Sequence, residues 1–232
     1  MPRAVGTPPH CGAGGPHGPQ IDMTDWPTIA SLATAAGTLV LAVATFASVR
    51  SANRTAQAAE RSLQAGLRPL IVPTRADDPP QKVMWQDQHK VLLEGGRGSA
   101  EEVDGVIYVA ASVRNSGAGI AVLHSWHPWF GYQYSDTDPV PVEDFRRLTR
   151  DLYIPAHDVG FWQGAIRDED DPDRPALSKA IAEREPITID LLYGDHEGGQ
   201  RTITRLSLTP MDNGSWYTSV SRYWHLDGRE PR

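Results

Sequence analysis

The run GVIYVAASVRN, residues Gly105–Asn115, decides the fold. In an extended chain successive side chains point to opposite faces. Ile107, Val109, Ala111 and Val113 therefore share one face, and the opposite face is also mostly apolar. A strand with two apolar faces belongs in the middle of a sheet, with a layer packed on each side. The following Asn115-Ser116-Gly117-Ala118-Gly119 reads as a turn. IAVLHSW then returns as a strand that ends at His127, before Pro128.

Alternating patterns extend in both directions. Upstream, PLIV is a short strand, and KVMW and HKVLL form a hairpin around Gln86–Gln88. The intervening GGRGSAEE reads as a loop. Downstream, ITIDLLY and RTITRLSLT make a second hairpin across the loop DHEGG, with Ile187, Ile189, Leu191 and Tyr193 facing inward. Ile203 and Leu206 are three apart, which predicts a β-bulge near Thr204–Arg205. MDNGS turns the chain into WYTSVSRYW. One helix, PALSKAIAER, starts at Pro175, and the RDEDDPDRP before it reads as a solvated acidic loop. About eight to ten short strands and one helix predict an antiparallel β-sandwich-like domain over residues 69–226.

Before this domain the pattern is helical. Thr28–Val49, TIASLATAAGTLVLAVATFASV, carries no charge and meets the roughly 20 apolar residues a bilayer core requires. Trp26 suits the lipid–water boundary, and Pro27 suits the first turn. Arg50, Arg54, Arg61 and Arg68 all follow the span, while Asp22 and Asp25 precede it. Basic flanks stay cytoplasmic. The expected arrangement is a single-pass cell-membrane protein with its N-terminus outside and its large domain in the cytoplasm. A cleaved secretory signal, which would export the β-domain, is the alternative, but it wants its basic residues before the apolar run.

Residues 26–49 are thus read as a transmembrane helix. Residues 50–68 continue it as a juxtamembrane stalk with a stripe of Ala52, Ala56, Ala59, Leu63 and Leu67. Gly66 and Pro69 end the run. Ala33 and Gly37 form a small-xxx-small pair, an expected contact for weak self-association in lipid. Residues 1–25, rich in Gly, Pro and His, are expected to be disordered, with Met23 as the expected true start, and 227–232 to be a disordered tail.

Charge and composition exclude several classes. The chain carries −7 overall, but residues 50–70 carry +3 and the chain from Ile71 onward carries −9. An acidic domain is a poor partner for phosphate backbones, so nucleic-acid binding is not expected. The single cysteine, Cys11, excludes an internal disulfide and a Cys-based zinc site. No cofactor is expected, because no phosphate-cradling loop is present: GGRGS lacks a following Lys-Ser or Lys-Thr, and GAGIAV lacks its third glycine.

The catalytic signals are thin. In HSWH, His124 and His127 lie three apart in a strand and so face opposite ways, with His124 expected on the face of Val122 and Trp126. His196-Glu197 lacks the second histidine of a zincin, since Gln200 stands there. A metal-assisted hydrolase using His157, Asp158, His196 or His225 is the rival to an interaction or sensing module. The stronger signal is aromatic: WHPWFGYQY puts Trp126, Trp129, Phe130, Tyr132 and Tyr134 in nine residues. Trp and Tyr are enriched at binding hot spots, so these five are the candidate contacts for an unknown protein partner.

LRPLIV after an apolar helix, VRNSGAGIAVLHSW, YIPAHDVGFWQGAI and LLYGDHEGGQRTITRLSLTP together resemble segments of uncharacterised single-pass membrane proteins of high-GC bacteria. The similarity runs from about Trp26 to the C-terminus. It implies an architecture, an anchor plus a β-rich domain, and carries over no catalytic residue.

Overall fold

The computed structural model describes residues 25–130 and 138–227. Two compact units, residues 1–58 and 59–232, are described separately.

The first unit holds most of helix α1 (Asp25–Gly66), which is about 63 Å long at 1.5 Å per residue. Leu32, Leu39, Val40, Leu41, Val43 and Phe46 are all exposed. Trp26–Glu60 is long and apolar enough to cross a membrane, with a mean hydropathy of 1.9 in its most apolar stretch. The hydroxyls that dilute this run are internally bonded. Ser31, Thr34, Thr38 and Thr45 each donate to the carbonyl four residues back, at 2.8–2.9 Å. Such back-bonding removes the need for an outside partner that lipid does not offer.

The β-domain is mainly antiparallel sheet, curled around one core. Its centre is β5 (Val106–Asn115), the strand with two apolar faces, seven of whose ten residues from Ile107 onward are buried in succession. Strand β8 (Val159–Ile166) pairs along nearly all of one β5 edge. On the other edge β4 (Arg97–Val103) and β1 (Ile71–Pro73) lie end to end. From β4 the sheet continues through β11 (Trp216–His225), β10 (Thr202–Pro210), β9 (Ile187–Gly194), β6 (Ala121–Phe130) and β7 (Arg146–Ile154). A separate hairpin, β2 (Gln81–Met84) and β3 (Lys90–Leu93), covers the outer face of β5. Helix α2 (Arg174–Ala182) buries Leu177 and Ala180 in the main core.

That core lies inside the curl and includes Ile107, Val109, Leu123, Trp126, Trp162, Ile189, Leu206 and Leu208. Curling brings the two ends of the sheet, β7 and β8, beside each other, so that the strands wrap one apolar interior.

Several local expectations are corrected. GGRGSAEE is not a loop: β4 runs through it. A Cβ at Gly98 would stand 2.6 Å from the Leu208 side chain and 2.9 Å from the Ala110 carbonyl, so the glycine serves close strand packing. Strand β6 does not end at His127. It continues to Phe130, and Pro128 is tolerated because the β7 ladder has already ended at Trp126–Arg146. His124 is an extra residue in β6 against β9, and against β7 it stands opposite the unpaired residues 148–151, so Trp126 joins the face of Ala121 and Leu123 instead of that of His124. The bulge expected in β10 lies in β11. Arg205 pairs with Arg222 and Leu206 with Val220, which leaves Ser221 as the extra residue. Within β10 the alternation is regular, but both faces are buried.

Candidate functional site

The outer face of the β6–β9–β10–β11 sheet carries the most concentrated chemistry. Asp190 on β9 and Arg205 on β10 are direct register partners, and neither is exposed to solvent. Arg205 donates from Nε to Asp190 Oδ1 and from Nη2 to Oδ2, both at 2.7 Å. The Trp129 indole N–H donates to the same Oδ2 at 2.8 Å. The guanidinium carbon stands 5.2 Å from the Trp129 ring centre and 4.7 Å from that of Trp224. His127 packs edge-on against Trp129, with centroids 5.3 Å apart. Phe145, Leu192, Ile203 and Trp224 form a small core on this face, joined by Val140 and Leu226. The arrangement is a bidentate ion pair between indole rings, the geometry in which a buried charge is compensated.

The five aromatics singled out from sequence therefore have different positions. Trp126 is only 2% exposed and meets Trp162 in the main core at 5.4 Å. Trp129 is half-buried over the ion pair, and Phe130 is exposed. Tyr132 and Tyr134 lie outside the described residues. Ala33 and Gly37 are on exposed parts of α1, and a Cβ on Gly37 would meet nothing within 4 Å. Sequence reasoning missed Asp190 and Arg205, because a charge alternating with apolar residues reads as the solvent face of a strand.

The histidines and carboxylates of the rival hydrolase stand on separate segments at one end of the sheet: the β7–β8 turn, the β9–β10 loop and the end of β11. His157 has left-handed backbone, φ 61°, in the turn before β8. His196 and Glu197 are exposed in the β9–β10 loop, where Asp195 caps the turn by accepting from the Gly199 N–H at 2.8 Å. His225 ends β11, its Nδ1 3.3 Å from Thr202 Oγ1. Burial pushes the His124 imidazole below its ordinary value, and its Nδ1 lies 3.2 Å from Ser125 Oγ. Among the described residues no three His, Cys, Asp or Glu side chains converge as metal ligands would.

The acidic run before α2 is not wholly solvated. Asp168, Glu169 and Asp170 are exposed, but Asp171 and Asp173 both pair with the Arg146 guanidinium of β7. The hydrogen bond from Arg146 holds the Asp171 carboxyl below the usual carboxylate range, and Arg201 does the same for Asp227. Carboxyls with depressed folded values stabilise fully at neutral pH. That contribution is lost as pH falls below the unfolded value and through the folded one. The denaturation midpoint of the β-domain should therefore drop in acid, and Asp171→Asn should lower the neutral-pH midpoint while flattening the acid limb. An equally steep acid limb in Asp171→Asn would assign the effect elsewhere.

Fold and helix together define a β-rich domain behind an N-terminal helix of membrane-spanning length. No protein-family model matches the chain, and no curated protein is similar to it in sequence.

Proposed function

We propose that the chain is a single-pass membrane protein, N-terminus out and C-terminus in, whose β-domain acts in the cytoplasm as an interaction or sensing module. The observation that carries the anchor is Trp26–Glu60: a helix of bilayer length, none of its most apolar stretch buried against protein. Support for its direction comes from Arg50, Arg54, Arg61 and Arg68, which follow the span with no basic residue close before it. The module reading is supported by a domain whose buried charges serve packing while Phe130 stays at the surface beside Trp129. Partner contact is assigned to that edge of β6. Ala33 and Gly37 are assigned a weak contact between copies in the bilayer.

Carbonate extraction and C-terminal reporter fusions test the reading. The full chain is expected in the carbonate-resistant pellet, with a fluorescent C-terminal fusion and an inactive C-terminal alkaline phosphatase. Release by carbonate would refute the anchor. An active phosphatase would place the β-domain outside and favour the exported reading. A photo-crosslinking residue at position 130 should trap a partner that position 153, the more exposed of the two and on β7, does not.

A further inference from the structure

We propose that the outer face of the β2–β3 hairpin docks onto anionic lipid headgroups. This inference rests on the membrane-anchor reading, and the test below separates the two.

The register pairs Lys82 with Leu92, Val83 with Val91, and Met84 with Lys90. Because side chains alternate across a strand, only one face can turn inward. Val83 and Leu93 do so, with Trp85, against Tyr108 and Ala110 on β5. The hairpin is pinned in that orientation by polar contacts. Trp85 Nε1 donates to the Gly164 carbonyl at 3.1 Å. The Tyr108 hydroxyl donates to Asp87 at 2.7 Å, and Arg167 reaches the same carboxylate at 2.9 Å. His89 stacks on Tyr108, with centroids 4.1 Å apart.

The face left outside is a checkerboard of Lys82, Met84, Lys90 and Leu92. Met84 is 52% exposed and Leu92 60%. With Val83 and Val91 they line a shallow groove of about 540 Å³. Neither lysine forms an ion pair among the described residues. Arg114, Arg146, Arg167, Arg174 and Arg201 each have a carboxylate partner, whereas the exposed Arg147 and Arg150 of β7, like the two lysines, form no ion pair among the described residues. Lys82 and Lys90 are two of only three lysines in the chain, in a region carrying −9.

Size and chemistry favour lipid over protein. Four side chains cannot supply the roughly 800 Å² per partner of a stable protein interface. A domain tethered to the bilayer needs far less, because the tether sets a high effective concentration of surface. Lysine stems lie along apolar surface while their ammonium groups meet phosphate and carboxylate headgroups. Met84 and Leu92 sit between them, where they can enter the headgroup–acyl boundary.

The test uses the full chain with Cys11→Ser and Met84→Cys, carrying a nitroxide at position 84. It is reconstituted into vesicles of phosphatidylcholine alone and of phosphatidylcholine with phosphatidylserine. A second label site, Tyr153→Cys, serves as control. In the phosphatidylserine vesicles the label at 84 should be shielded from a water-soluble nickel chelate and accessible to oxygen, and the label at 153 should not. Lys82→Glu with Lys90→Glu, both exposed and so tolerated by the fold, should lower the docked-to-free ratio at least about tenfold. Vesicle flotation reads the anchor independently. A chain that fails to float overturns both readings. A chain that floats with equal nickel accessibility in both lipids overturns docking alone. Shielding that is lipid-independent and survives charge reversal overturns it as well, and identifies a protein contact.

Discussion

Arg205→Met should cost the β-domain about 3–5 kcal/mol, the range for breaking one member of a buried ion pair. The substitution keeps side-chain length and removes only the charge and its donors. Asp190 is then left at zero exposure with a carboxylate that has lost two 2.7 Å bonds. The Trp129 indole N–H still donates to it, which cannot replace a guanidinium. Asp190→Asn should destabilise too, since it takes from a buried cation the carboxylate that accepts two of its 2.7 Å bonds. The double variant Asp190→Leu with Arg205→Met should regain most of the loss, because apolar replacement of a whole buried pair is often neutral or better. Denaturant unfolding followed by tryptophan fluorescence, on full chain in detergent, reads all three. If the double variant is as unstable as Arg205→Met, shape and not charge explains the site. The pair also has a specific use. Asp190 and Arg205 face each other across the β9–β10 ladder, and a one-residue slip would turn them to opposite faces. Both strands are buried throughout their paired length, so hydrophobicity alone does not fix their register.

The same pair shows where sequence reading stops. Alternation in ITIDLLY correctly groups Ile187, Ile189, Leu191 and Tyr193 on the core face. It is silent on whether a second layer covers the other face, and here Phe145, Val140 and Leu226 do so. The central strand at 106–115 was legible because both its faces are apolar by themselves. Strand β7 was not: Arg146, Arg147, Arg150 and Asp151 make it an edge strand with the composition of a loop. In β4 and β8 the breaker residues are packing devices. A Cβ on Gly164 would meet the Trp126 ring at 2.8 Å, a contact between strands far apart in sequence. The face of Trp126 was misread for a similar reason, since one inserted residue, His124, reverses everything after it. The apolar helix was legible because length and charge are one-dimensional properties. The candidate site depended on pairing between β6, β9 and β10, which no local pattern encodes.

Asn115→Ala should be the second large loss, at least about 3 kcal/mol, because several groups in and around the turn lose their partner at about 1–3 kcal/mol each. Asn115 is fully buried at the end of β5. Its Oδ1 accepts from the Leu70 N–H at 3.1 Å and the Gly117 N–H at 2.9 Å. Its Nδ2 donates to the Gly119 carbonyl at 2.6 Å and the Ile154 carbonyl at 3.2 Å. Asn115→Asp should not rescue, since a carboxylate keeps the acceptor side but turns lone pairs toward two carbonyls. The residue thus binds three segments: its own turn, the end of β7, and the chain between α1 and β1. The turn explains its own glycines. A Cβ on Gly119 would stand 1.8 Å from the Leu67 carbonyl oxygen, and one on Gly117 would stand 2.2 Å from that of Arg68. Gly119→Ala should therefore displace residues 67–70 even with Asn115 intact. Beyond this point the chain is fixed again, because the Ile71 N–H donates at 3.1 Å to the buried Tyr193 hydroxyl. Residues 67–70 lead from the end of α1 into β1, so NSGAG clamps this segment as well as turning the chain. Limited proteolysis with a broad-specificity protease checks it. Cleavage between Gly66 and Ile71 should rise at least about tenfold in Gly119→Ala, as expected when local opening is favoured. Sites within β9 and β10 should stay protected. Unchanged protection of 67–70 would mean that the segment has another hold, and the clamp would be abandoned.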